Sequence, residues 1–540
     1  MPANPPPSAV GNNGPLQLFG DFGFSGGHDV APNPLQNAQT CINFYAEVNE
    51  QNPKEVVGLL GCPGLAPLVS APGGGAPGFT STMTQWPQPS SVVNLPVRGA
   101  WELPGGQTAV VVIGSVCYLL SVAAAATAAS FPTLSLTSVG TLLTSSGPVS
   151  IADDNGVGYG VAGTLVGTAV IVDGPYGYTY NYLTGVFARI TDPAFLGADR
   201  VIMIDGWFVF NQPGTQAFYT PIQQYGLTFG SYFALKDAAP DNLVTIAANK
   251  EQLWLVGDKT TEIWYDAGGQ FFPFQRLVGT LLQAGCKAKH SISRFSGGGQ
   301  DGLIWFGRSE RGENVIVKTH GFAADTVSTA AFSAEVSQYP ITSDAIGYTY
   351  QEDTHEFYVL TFPTADTTWV YDSQSGLPHK RLSYDPYAQQ FHRHRGNAFI
   401  NFQGMRIVGD YQCGTLYQLT RNVQNDAGWP LFAIRRSPHI WDKGQRGRLF
   451  MASLQVDFRP GVGNPSGMGS NPQAGLRISR DGAASFGQIS NRPIGQIGQY
   501  KNRTIWRRLG FGRDTVLELQ VIDPVPRDVI GVTLKAFSSA

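Results

Sequence analysis

With 540 residues, only 14% of them charged, and 65 Gly beside 36 Pro, the chain has material for two or three cored domains and a composition unlike that of a helical enzyme. The near-neutral net charge of −3 conceals a marked segregation described below. Five scattered cysteines, Cys41, Cys62, Cys117, Cys286 and Cys413, have neither disulfide-framework nor metal-ligand spacing and read as small buried hydrophobes of a reducing compartment.

Residues 1–40 are rich in Pro, Gly and Asn and poor in core formers, which predicts an extended arm that orders only against a partner, such as another subunit. The N-terminus has no basic-then-apolar secretory pattern, and the Ala-rich run at 122–129 is too short to cross a membrane. A soluble protein made and folded in a cytoplasm is expected. Residues 41–68 begin strand-like, break at Asn52-Pro53 and turn at Cys62-Pro63-Gly64. Strands are predicted at 109–121, 151–162 and 169–182.

From there a hairpin cadence takes over. Apolar runs begin at Val201 (VIMIDGWFVF), Leu253 (LWLVGDKTTEIWYDAG), Leu303 (LIWFGRSERGENVIVKTH), Phe357 (FYVLTFPTADTTWVYD) and Arg406 (RIVGDYQCGTLYQL), with steps of 52, 50, 54 and 49 residues. Each is a strand, a polar turn and a second strand. A small sheet of this kind cannot bury both its faces alone, so a fifty-residue period implies blades packed in a ring. Six or seven blades fit between about residues 70 and 430.

After Pro430 the cadence changes to alternating strands at 450–458, 475–479, 504–510, 516–522 and 530–537, with a Gly/Pro/Asn/Ser loop at 461–473. The expected fold is all-β: a six- or seven-bladed β-propeller followed by a C-terminal β-sandwich, with an extended N-terminal arm. The expected domains are the arm at 1–40, the propeller with its lead-in segment at 41–430, and a basic sandwich at 431–540. Residues 430–540 carry 16 Lys and Arg against 7 Asp and Glu, a net of +9, while the residues before them carry 20 against 32, a net of −12. An acidic body with a basic cap is a statement about partners: nucleic acid, or an acidic surface on a neighbouring subunit or protein.

No constellation assembles an active site. Ser479, Asp481, Gly482 and Phe486, in SRDGAASF, resemble the Asp-box hairpin of sialidase-type propellers, in one copy outside the blade cadence and with the Gly displaced by one. The Asp-box is a structural turn in which Asp caps backbone N–H groups and the aromatic seals the core. Glu262, Asp266, Glu352, Asp353 and Glu356 could serve as paired glycosidase carboxylates, but 353–356 reads as a solvated turn. His392 and His394 lack a third metal ligand and flank Arg393, so they read as surface or interface polar residues. No phosphate-binding loop or nucleophile elbow is present, and no cofactor is expected. There remains a basic cluster, Lys501, Arg503, Arg507, Arg508 and Arg513, with Tyr500 and Trp506 interleaved. It is expected to form a subunit or adaptor interface, with DNA contact and a charge-blunted strand edge as alternatives.

Four stretches carry a family likeness. They are CINFYAE with GCPGL, LWLVGDKTTEIWYDAG, FYVLTFPTADTTWVYDSQSG, and SRDGAASFG followed by GQYKNRTIWRRLGFGRDTVLELQVIDP. In these the chain resembles the packaged-DNA stabilisation proteins of short-tailed bacteriophages, the tail hub or nozzle family. The resemblance implies a late structural protein of the virion tail, assembled in the host bacterial cytoplasm. Six copies would form a ring below the portal and its adaptor, closing the channel on packaged double-stranded DNA and serving as a conduit in ejection. A tail needle or plug and tailspikes or fibres would be its other neighbours. The competing reading is a propeller that binds or hydrolyses glycans.

Overall fold

In the computed structural model the fifty-residue segments become twisted antiparallel sheets whose strands follow chain order, as the period requires. The structure describes residues 17–19, 22–48, 57–72, 74, 94–124, 133–156, 158–159, 165–269, 272–296, 301–309, 311–442 and 447–538. Among these, seven blades span 97–141, 150–189, 201–235, 243–276, 285–326, 346–380 and 396–420. They are numbered one to seven in that order.

Blade four shows how local sequence makes a blade. Leu243–Asn249 and Gln252–Gly257 form a hairpin closed by the pair Asn249↔Gln252. The two linking residues, Lys250 and Glu251, both have positive φ (50° and 59°), the conformation whose twist matches a two-residue hairpin. Thr261–Asp266 and Phe274–Arg276 complete the sheet. Middle strands are covered on both faces by neighbouring blades, so they read as unbroken apolar runs. Every residue of His355–Phe362 and Thr367–Asp372 in blade six is buried. The predicted strand at 109–121 divides into Thr108–Ile113 and Val116–Ala124 around Gly114, whose φ of 57° turns the chain. Likewise 169–182 divides into Thr168–Val172 and Gly177–Asn181, and only the start of 151–162 is blade strand, in Ser150–Asp153.

The ring is closed by the N-terminal part of the chain. Gly64–Ser70 pairs antiparallel with Thr415–Thr420 as the outer strand of blade seven. The inner strands of blade seven then pack on blade one, with Ile400, Phe402 and Ile407 sharing a core with Val97, Val111 and Ile113. Gly64 is required where the chain crosses into this blade. A Cβ there would lie 2.4 Å from the carbonyl oxygens of Val423 and Asn425.

The sandwich is built from both ends of the chain. Its first sheet runs in the order Thr504–Gly512, Leu449–Phe458, Val529–Ser538, Val57–Gly61, Phe44–Val48, with Gln17–Phe19 also on Val529–Ser538. Its second sheet is a continuation of blade six. Pro378–Lys380 pairs in parallel with Cys41–Ile42, which leads to Ala433–Arg436, Asp514–Val521, Gln473–Ser479 and Ser490–Pro493 within one ten-stranded sheet. Between the sheets lie Phe24, Phe44, Leu59, Leu454, Val456, Leu476, Trp506, Leu519 and Leu534. The two modules thus share one hydrogen-bonded sheet.

Two expectations are corrected here. The lead-in strands at 41–61 belong to the sandwich, because their apolar residues Phe44 and Leu59 face its core. The arm is also folded on its own chain, at 17–19 and from residue 22 onward, while 1–16 and 20–21 lie outside the described residues. Phe24 is fully buried, and the buried Arg435 donates to the carbonyls of Phe24 (2.5 Å) and Gly27 (2.7 Å) and to Gln39 Oε1 (2.7 Å). The glycines that suggest disorder are there for fit: a Cβ on Gly27 would sit 2.8 Å from Pro378 O. The five cysteines are free and buried, and no helix among the described residues is long and apolar enough to cross a membrane. Ala330–Val336 is a single short helix, N-capped by Thr329.

Candidate assembly surface

The basic cluster lies on and beside the outer edge strand of the first sandwich sheet, Thr504–Gly512, which among the described residues pairs on one side only, with Leu449–Phe458. Alternation sends Thr504 and Trp506 inward and exposes Arg503 and Arg507. A register shift opposite Met451 and Ser453 then breaks the alternation, and Arg508 takes the left-handed conformation (φ 58°). This β-bulge exposes Arg508 as well, placing two adjacent arginines outside. Tyr500 is 71% exposed, and Lys501 and Arg513 are exposed.

Trp506 does not join them. It is 1% exposed, sits in the sandwich core and donates its indole N–H to Ser490 O (2.7 Å). The expectation of an interface Trp is therefore corrected: it seals the gap between the edge strands of the two sheets.

The edge is closed to strand pairing. Arg480 Nη2 donates to Leu509 O (2.7 Å) and Arg492 Nε to Ile505 O (3.3 Å), so side chains occupy carbonyls that another strand would need. Lys501, Arg503, Arg507, Arg508 and Arg513, by contrast, have no ion-pair partner among the described residues. The arrangement offers cations to a partner while refusing it a β-strand.

Arg480 is held in place by the Asp-box turn. Asp481 Oδ1 accepts from Ser479 Oγ (2.6 Å) and Ser485 N (3.0 Å), and Oδ2 from Ser485 Oγ (2.6 Å). These donors hold its carboxyl down at about 2. Ser479 Oγ in turn accepts from Ala483 N (2.9 Å), and Gly482 has φ 67°. The turn has the expected structural form, but Phe486 does not seal a core. Its half-buried ring lies under Arg436 (4.7 Å) and Arg477 (5.3 Å), both paired to the buried Glu518.

The other sequence candidates are structural. Glu262 accepts from Ala238 N and Trp264 Nε1, Glu352 pairs with Arg406 (3.1 Å), and Asp353 pairs with Arg421 (3.3 Å). The expected solvated turn at 353–356 is confined to Asp353 and Thr354, since His355 and Glu356 are buried and begin the next strand. His355 bridges Glu47 of the sandwich (Nε2, 2.5 Å) and Asp372 of blade six (Nδ1, 2.9 Å). His392 meets Asp366 (2.6 Å), while His394 is buried rather than on the surface, its imidazole pushed down to about 3 by burial and by Arg381 and Arg395. Among the described residues no group of His, Cys, Asp and Glu could hold a metal ion. A cavity of about 580 Å³ opens near the propeller axis, lined in part by Lys250, Arg294, Asp301, Glu356 and Arg406.

Residues that fix the sandwich on the propeller gave no local signal in the sequence. Buried Arg527 donates to Leu431 O and Gln424 O, and Arg421 joins Asp528 (3.1 Å) to Asp353. For His355, burial pushes its pKa down, but the two carboxylates outweigh burial and hold it above the ordinary value. Its stabilising contribution is thus complete below an ordinary imidazole pKa of about 6.5 and fades as pH rises through the raised folded-state value. His355→Gln should therefore cost more unfolding free energy, read by urea titration, at about pH 5.5 than at about pH 8.5, by a difference on the order of 1 kcal/mol. A pH-independent gap would refute the charged bridge.

Solved structures similar to the chain include the N-terminal domain of Nup159, at 10% identity over 71% of this chain and 98% of that one (TM-score 0.35). YCF48 from Cyanidioschyzon merolae is another, at 10% identity over 63% and 98% (TM-score 0.36). No curated protein matches. Two family models fall on the two modules: "Bacteriophage P22 Gp10, beta-propeller" on residues 146–424 and "Bacteriophage P22 Gp10, beta-sandwich" on residues 434–536. The first alone covers more than half the sequence, and the chain belongs to the bacteriophage P22 Gp10 family of packaged-DNA stabilisation proteins.

Proposed function

We propose that this protein is the tail-hub or nozzle subunit of a short-tailed phage. Six copies form a ring below the portal and adaptor that retains packaged DNA and later conducts it during ejection. The carrying observation is the match of both modules, in order, to one family of phage structural proteins. The rest of the molecule supports it. A propeller and a sandwich fused through one sheet make a stiff building block, and its unpaired arginines suit contact with an acidic neighbour. Tail needle or plug and spikes or fibres are the further partners of this reading.

The experiment is to package DNA in particles made with and without this chain. Particles lacking it should fill and then lose their DNA, and the purified chain should restore retention while adding a multiple of 58.0 kDa to the particle mass. Equal retention in both would overturn the reading, as would turnover of a glycan abolished by one carboxylate substitution.

A further inference from the structure

The arginine edge faces outward with a mixed surface around it. Ile489 (47% exposed), Ile497 (59%), Tyr500 (71%) and Phe511 (46%) lie on the same edge and its flanking turns. Arginine with exposed aromatic and aliphatic side chains is the composition of a protein interface, since phosphate backbone offers nothing to bury apolar area against. The bulge and the Arg480 and Arg492 caps exclude strand addition, leaving side-chain recognition of carboxylates.

The matching surface is on the propeller. The turns between the first two strands of the blades lie on one face, around the axis. In blades one, three, four and five the turn or its margin carries an exposed carboxylate: Glu102, Asp205, Glu251 and Asp301. None has an ion-pair partner among the described residues, whereas Asp353 of blade six is engaged by Arg421. Lys250 and the exposed Arg294 stand among them as countercharges. Burial, with the Asp266 and Glu251 carboxylates nearby, holds Asp205 above the ordinary carboxylate value, as expected where like charges gather.

We infer that the arginine edge of one subunit, through Arg503, Arg507 and Arg508, docks on the acidic rim of a second copy of this chain. This rests on the ring reading above and adds the two surfaces that would close the ring. Edge and rim are different patches of one molecule, so the contact is head-to-tail, the kind that propagates around a ring. The charge segregation in sequence, +9 against −12, then sets the register.

The test uses the full chain in three forms: Arg503→Glu/Arg507→Glu/Arg508→Glu, Asp205→Lys/Glu251→Lys/Asp301→Lys, and an equimolar mixture of the two. Mass is read by sedimentation at about 50 mM and about 500 mM salt, and folding by circular dichroism. All substituted side chains are exposed, so folded variants are expected. Wild type should associate at low salt, and each variant alone should fall to 58.0 kDa, with association weakened about a hundredfold or more by like-charge contact. The mixture should regain association, since reversed edge meets reversed rim.

An edge variant that associates like wild type overturns the inference and leaves the ring reading standing. So does loss of association by the edge variant with none by the rim variant. Unchanged mass with loss of duplex DNA binding assigns the edge to phosphate instead. A wild-type chain that stays single, alone and with portal and adaptor, sinks the ring reading and this inference with it.

Discussion

A chain lacking residues 1–70 should fail to fold, although its cadence of blade hairpins from 97 to 420 would be intact. The deletion removes Gly64–Ser70 from blade seven, leaving Thr415–Thr420 as an open edge beside an unclosed ring. It also removes Phe44–Val48 and Val57–Gly61 from the first sandwich sheet, and Cys41–Ile42 from the junction with blade six. The large apolar side chains of Phe24, Phe44, Tyr45, Leu59 and Leu65, each at most 1% exposed, go with it. At about 1.5–3 kcal/mol for each buried side chain, that loss alone reaches the roughly 5–15 kcal/mol by which a whole domain is stable. The buried guanidinium of Arg435 would lose its carbonyl acceptors as well, and an unsatisfied buried charge costs several kcal/mol more. The shortened chain is expected to be insoluble or to show no cooperative melt by circular dichroism. A cooperative melt at the wild-type Tm would show that neither module needs the N-terminal segment.

That segment marks the limit of what the sequence made legible. Blade hairpins could be read because each is local: two apolar runs, a turn of known chemistry, and burial on both faces within about twenty residues. The sandwich strands after residue 430 could be read for the same reason. The N-terminal segment could not, because its partners are more than 300 residues away. Asn43 donates to Leu382 O (2.8 Å) and Phe432 O (2.7 Å), and His28 N to Pro378 O (2.6 Å). A run rich in Gly and Pro with three Phe among its forty residues resembles a disordered arm until Arg435 and Pro378 are placed beside it. His355 escaped for a similar reason, since a His between Asp353 and Glu356 looks like a polar turn when Glu47 and Asp372 are out of view. The arginine edge was found by composition and charge, but its faces were not assigned.

The faces are where the second large effect is expected. Trp506→Ala should destabilise the protein by about 3–5 kcal/mol, the usual cost of emptying a buried aromatic site, while Arg507→Ala beside it should change stability by less than about 0.5 kcal/mol. Trp506 packs in the sandwich core and satisfies Ser490 O, so its removal leaves both a cavity and an unpaired carbonyl on an edge strand. Arg507 is exposed and has no ion-pair partner among the described residues. A clue lay in Trp506-Arg507-Arg508-Leu509. Strict alternation from Arg503 would turn Arg508 inward with Trp506, burying an unpaired cation. A bulge at 508–509 avoids that cost, keeps Trp506 inside and brings Leu509 back into the core. Urea unfolding of the two single variants reads the difference directly. If Trp506→Ala leaves the midpoint unchanged but weakens association, Trp506 is an interface residue after all, and the inward face assigned to it is wrong.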